Sequence, residues 1–225
     1  MSSRERILRR VRAGLASDAP GQRLDHPGRR AIVEKRLTER PRHLTPERVA
    51  GQPQAELAAI LRRWLELTGG HMFEVASAAD VPAEIATYLR GYNLPARVRI
   101  GADARLAALP WGREPALAVD HGPALATDTA SVTHALAAVA ETGTAVVASG
   151  ADNPVTLSFL PETNIVVVAR EDIVGPLEDA LVRARGNALP RTLNLVTGPS
   201  RSADIGGIPV LGAHGPRRLC MIVVG

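Results

Sequence analysis

Between Thr197 and Gly215 the chain gathers the side chains needed to hold a small anion and move a proton beside it. Ser200, Arg201 and Ser202 follow the Gly198-Pro199 turn, where hydroxyls, free backbone N–H groups and a guanidinium can meet one carboxylate or phosphate. Asp204 and His214 come next, and an aspartate that orients an imidazole makes a base suited to neutral pH. Gly212 and Gly215 flank His214 and let a ring approach a ligand closely. A second cluster, Glu141-Thr142-Gly143-Thr144, stands where an Ala-rich stretch gives way to an apolar run. A carboxylate there can serve as base, nucleophile or partner of a substrate hydroxyl, or it can pin its own turn. Likewise Ser200 can cap a helix and Arg201 can face solvent. Both kinds of role stay open on spacing alone.

The candidate catalytic residues are therefore Glu141, Asp204 and His214. Thr142, Gly143, Thr144, Gly198, Ser200 and Arg201 are the candidate ligand-binding set. No metal site is expected, because His26, His43, His71, His121 and His134 show no paired ligand spacing. The phosphate-binding Gly-x-x-x-x-Gly-Lys pattern, the dinucleotide fingerprint and the Gly-x-Ser-x-Gly elbow are all missing.

The elements that must position these residues read as an α/β chain with a mainly parallel sheet and helices on both faces. Leu57, Ile60, Leu61, Trp64 and Leu65 form a helical stripe after Pro53, stopped by Gly69-Gly70. Met72 to Val75 suits a strand, Asp80 the cap of a helix carrying Val81, Ile85 and Leu89, and Arg97 to Ile100 and Leu117 to Val119 two more strands. Thr127 to Val139 predicts a short Ala-rich helix. Asp172 predicts the cap of another, which carries Ile173, Val174, Leu177, Leu181 and Val182. The runs near Thr144, Ile165, Leu193 and Leu219 are continuous rather than alternating, as in strands buried on both faces of one parallel sheet. The candidate residues are then expected in one crevice at the carboxyl ends of those strands.

Ahead of this body, Ser2-x-x-Glu5 opens an N-terminal helix with Ile7, Leu8, Val11 and Leu15 on one face, and an extended Arg/Pro/Gly-rich arm follows. The expected division is residues 1–52 for helix and arm and 53–225 for the domain. Residues 1–48 hold 13 Lys+Arg against 6 Asp+Glu, or +7; the rest hold 14 against 17, or −3, which together give the chain's +4. The basic segment has no interleaved aromatics and no recognition motif, which argues against nucleic acid as a partner. A lone cysteine, Cys220, rules out an internal disulfide or a self-held iron–sulfur cluster and fits a reduced, cytoplasmic setting. No apolar run is long enough for a membrane span.

Ala140-Glu141-Thr142-Gly143-Thr144, Leu160-Pro161-Glu162-Thr163-Asn164-Ile165 and the block from Thr197 to Ile205 resemble the LUD domain of the lactate utilisation protein C family. The family tends to carry an acidic residue where Gly206 stands here. The resemblance implies a fold like that of NagB, ribose isomerase and CoA transferase, and a role in oxidation of L-lactate to pyruvate. It implies an accessory or small-ligand-binding subunit that takes a small acid or phosphate-bearing ligand, has no cofactor of its own and works beside iron–sulfur subunits. The other reading is an independent enzyme of isomerase or CoA-transferase type that uses Glu141.

Overall fold

The computed structural model describes residues 2–15, 27–40, 42, 44–186, 189–202 and 210–225. Contacts divide the chain into two units, Met1–Leu44 and Thr45–Gly225. In the first, the Ser2 and Glu5 box opens helix α1 (Ser3–Leu15), with Ser2 N–H donating to Glu5 and Glu5 N–H to Ser2 Oγ. The expected arm contains a second helix, α2 (Pro27–Glu39). It lacks a strong apolar stripe and so gives little periodicity. Pro27 at its first position and the i,i+4 pairs Arg30–Glu34 and Lys35–Glu39 supply local helical preference instead.

The second unit runs through α3 (Gln54–Leu67), β1 (His71–Val75), α4 (Val81–Gly91), β2 (Arg97–Ile100), α5 (Ala104–Ala107) and β3 (Ala118–His121). It continues with β4 (Ala130–His134), β5 (Ala137–Val139), β6 (Thr144–Ala148), α6 (Thr156–Phe159), β7 (Thr163–Ala169) and β8 (Ile173–Val174). Helix α7 (Leu177–Arg185) and strands β9 (Leu193–Val196), β10 (Arg201–Ser202), β11 (Val210–Leu211) and β12 (Arg218–Val224) complete it. The main sheet has six strands in the order β1-β12-β7-β4-β2-β3, and every pairing in it is parallel.

Both faces of that sheet are buried, which is why its strands are apolar throughout. On one face Ile165, Val167, Cys220 and Ile222 meet Val81, Ile85 and Leu89 of α4. On the other, Val166, Val168, Met221 and Val223 meet Leu57, Leu61 and Leu65 of α3, together with Val49 from the segment before that helix. A second sheet shares this face, ordered β8-β5-β6-β9, with β5–β6 and β6–β9 antiparallel. The runs near Ile165 and Leu219 are thus neighbours in the main sheet, whereas those near Thr144 and Leu193 pair in the second.

One expected helix is replaced by strands and another is shortened by one. Thr127 to Val139 forms β4 and β5, because the alanines are needed for closeness rather than for helix: Ala135, Ala138 and Ala140 are all 0% exposed between the sheets. Ile173-Val174 pairs with Ala138-Val139 as β8, so α7 begins only at Leu177, after Pro176. Among the described residues no helix is long and apolar enough to cross a membrane.

Candidate functional site

The β5–β6 hairpin turn holds the first candidate cluster. Gly143 N–H donates to the Val139 carbonyl at 3.0 Å, and Gly143 adopts φ 69°. A Cβ there would lie 2.5 Å from the Leu65 nitrogen, so only glycine lets the turn lie against α3. That contact aims Thr144 across to β9. Thr144 and Thr197 hydroxyls are 2.6 Å apart, and Thr142 and Thr144 hydroxyls 2.7 Å, giving a chain of three threonines.

The next turn closes on the same place. Gly198 adopts φ 80° directly against Thr68, whose hydroxyl donates to the Leu65 carbonyl at the end of α3. Gly69 adopts φ 88°, and a Cβ on it would lie 2.5 Å from Arg201 Nη2. The Arg201 guanidinium therefore covers the Gly69 backbone, and it has no hydrogen bond or ion pair among the described residues. Ser200 is fixed through its backbone: its N–H donates to Pro216 O at 2.8 Å and its carbonyl accepts from Gly212 N–H at 2.9 Å. His214 is exposed in the turn between β11 and β12.

Glu141 faces elsewhere. Its Oε2 accepts from Leu177 N–H at 3.4 Å, at the start of α7, and its Oε1 lies 3.9 Å from Arg48. Arg48 also donates to the Glu141 carbonyl at 3.2 Å and stacks over Trp64. A carboxylate there suits the positive end of α7. Asp204 lies outside the described residues. The structure thus gathers Thr142, Gly143, Thr144, Gly198 and Arg201 around Thr68-Gly69, sets Ser200 and His214 in the adjoining turn, and leads Glu141 to α7.

This cluster is at the amino ends of the parallel strands, not the carboxyl ends. Gly69-Gly70 leads into β1, and Gly212 to Arg217 leads into β12. The reason is β9, which precedes the loop but runs antiparallel to β6 in the second sheet. Thr68 and Thr197 were not among the candidate residues, yet the sequence carries a signal for both. Thr-Gly occurs three times, at Thr68-Gly69, Thr142-Gly143 and Thr197-Gly198, and all three glycines have positive φ in this one cluster. Among the described residues no three His, Cys, Asp or Glu side chains gather as they would around a metal ion. Cys220 is wholly buried, and burial pushes its thiol pKa well up.

Comparison with known proteins gives the lineage. The family model of the LUD domain matches residues 60–224. "Lactate utilization protein C" of Geobacillus kaustophilus is 30% identical over 195 residues, covering 78% of this chain and 81% of that protein. "Lactate utilization protein C" of a Geobacillus species, strain WCH70, is 41% identical over 91 residues, a match that spans 38% of either chain. Among solved structures, a DUF162 family protein from Deinococcus radiodurans is 27% identical, with a TM-score of 0.60 over 77% of this chain and 99% of that one. The fold and these matches agree: the chain belongs to the LUD domain family.

Proposed function

We propose that this chain is an accessory, small-ligand-binding subunit of a cytoplasmic lactate-utilisation system. The cluster at Thr68-Gly69 holds the carboxylate of a small acid such as L-lactate. The observation that carries this reading is Arg201, a guanidinium that covers the Gly69 backbone, lacks an ion-pair partner among the described residues and stands beside the Thr144–Thr197 pair. A planar cation with neighbouring hydroxyls matches a carboxylate and an adjacent hydroxyl. His214, in the turn adjoining Arg201, and Asp204, three residues after Arg201 in sequence, are the residues assigned to proton handling. The names of the relatives support the lactate assignment.

Oxidation of L-lactate to pyruvate releases two electrons and two protons. One thiol, buried within β12, cannot hold an iron–sulfur cluster, so the reading places such clusters on partner subunits. The test is thermal unfolding of the chain with L-lactate and with pyruvate. A ligand that binds the native state raises the midpoint by mass action. Arg201→Ala should remove that rise without changing the ligand-free midpoint. Glu141→Gln should lower the midpoint but keep the rise. Turnover by the chain alone, abolished in Glu141→Gln, would instead support the isomerase or CoA-transferase reading. A rise unchanged in Arg201→Ala would remove Arg201 from the site.

A further inference from the structure

The connections that leave β2 and β4 pass to opposite faces of the parallel sheet. After β2 the chain enters α5, whose Leu106 packs with Val81, Ile85 and Leu89. After β4 it enters β5 and β6, whose Ala138, Ala145 and Val147 pack with Leu61 and Leu65. Strands β2 and β4 are neighbours, so their carboxyl ends mark the topological switch point, where open α/β sheets take ligands.

Three adjacent strands each deliver a titratable residue to that end. Asp103 follows β2, His134 ends β4 and Asp172 follows β7, and the imidazole interacts electrostatically with both carboxylates. Each carboxylate already has a cation. Arg105 donates to Asp103 through Nε at 3.2 Å and Nη2 at 3.0 Å, and Arg183 donates to Asp172 at 2.6 Å. His134 is only 7% exposed, and its buried Nδ1 forms no hydrogen bond among the described residues. Most buried polar atoms in proteins are partnered, so this one asks for a reason.

Burial, then the positive charge of Arg105, holds the His134 pKa below the ordinary histidine value. Asp103, Asp172 and a weak backbone interaction at Ala135 pull the other way without prevailing. A neutral ring can accept from a hydroxyl. A second unpartnered acceptor belongs to the segment that meets the end of β2. Asn153 is 6% exposed with Oδ1 unpartnered, and the neighbouring Asp152 carbonyl accepts from Ala102 N–H at 2.7 Å, one residue before Asp103.

We propose that the carboxyl ends of β7, β4 and β2 form a second ligand site, which takes a small hydroxylated oxyanion with its hydroxyl on His134 and its anionic group on the half-exposed Arg105. A 2-hydroxy carboxylate and a polyol phosphate share this chemistry. The site is separate from the Arg201 cluster, which lies at the amino ends of the same sheet.

The test is nitrogen NMR of the full chain labelled at histidine, whose six histidines make the His134 signals assignable by loss in His134→Gln. The probes are L-lactate, glycerol 3-phosphate, and acetate and sulfate as anions without a carbon-borne hydroxyl. The His134 signals should move with at least one hydroxylated probe and stay fixed with acetate and sulfate. Movement with L-lactate alone identifies a carboxylate ligand, and with glycerol 3-phosphate alone a phosphate. Arg105→Ala should weaken the effect by about tenfold or more, while Arg201→Ala should leave it unchanged. Signals that no probe moves, that acetate moves equally, or that stop responding in Arg201→Ala would overturn the proposal. Failure of the Arg201 reading alone would leave the His134 response intact.

Discussion

Thr144 and Thr197 share a hydrogen bond 2.6 Å long although 53 residues separate them in the chain. It ties the start of β6 to the end of β9, beside the turn that carries Gly198 and Arg201. Thr144 is 3% exposed, so removing the Thr197 hydroxyl leaves its buried hydroxyl with Thr142 as its one remaining partner. Single changes to valine at either position should destabilise the fold. The double-mutant cycle should show a coupling of about 0.5–1.5 kcal/mol in urea unfolding. Additive single changes would mean the bond contributes nothing.

Gly143→Ala is expected to be among the most costly conservative changes in the domain. It combines a left-handed φ of 69° with a Cβ 2.5 Å from the Leu65 nitrogen, and backbone within α3 cannot step aside cheaply. A loss of at least about 2 kcal/mol is expected from strain and overpacking together. Gly122→Ala is the control. It shares a positive φ of 109° but would meet nothing within 4 Å, so it should lose only the conformational part, roughly 1 kcal/mol. Equal losses in the two variants would remove the steric contact with α3 from the argument.

The same region shows where sequence and structure part. Strands β7 and β12 are legible because a strand buried on both faces must be apolar at every position, and Ile165 to Val168 and Leu219 to Val223 satisfy that. The segment Ala135 to Ala140 is not legible in the same way. Alanine has the highest helix propensity, yet here small size lets one sheet approach another, and packing overrides local preference. Nothing in the run Leu193 to Val196 reveals its direction, so the placement of the following loop at the amino ends of the sheet could not be read. Within the candidate site, the tight turns at Gly143 and Gly198 are legible from turn chemistry. The orientation of Glu141 was not, since it depends on Arg48 and on the start of α7, both distant in sequence.

Arg99 and Asp128 form a bidentate pair at 2.9 and 3.1 Å, with side chains only 14% and 7% exposed. Arg99's hydrogen bond is the largest cause holding the Asp128 carboxyl below its ordinary pKa; burial opposes it, and Leu125 N–H adds to the lowering. A folded pKa below the unfolded one means the stabilisation is complete above the unfolded carboxylate value and is lost as pH falls through the folded one. Asp128→Asn should therefore lower stability at neutral pH and flatten the acid limb of the stability–pH curve. Urea midpoints measured between about pH 7 and pH 3 check this. An acid limb of unchanged slope would assign it to other groups.

The last expectation concerns where the folded body begins. Val49 is 3% exposed and packs with Leu57, Leu61 and Ile173. A Cβ on Gly175 would lie 2.9 Å from the Val49 carbonyl, so the Val49 backbone and that turn are fitted to one another. Arg48 adds the stack on Trp64 and the bond to the Glu141 carbonyl. A chain beginning at Thr45 retains all of these, and one beginning at Pro53 loses them. Losing one buried valine alone removes roughly 1.5–3 kcal/mol of burial, and the shorter chain also leaves apolar core facing water. The chain from Thr45 should thus unfold at a clearly higher urea concentration than the chain from Pro53. Substituting Val49→Ala in the longer chain should recover part of that difference, about 1 kcal/mol or more. Equal midpoints for the two truncations would place Val49 and Arg48 outside the cooperative unit.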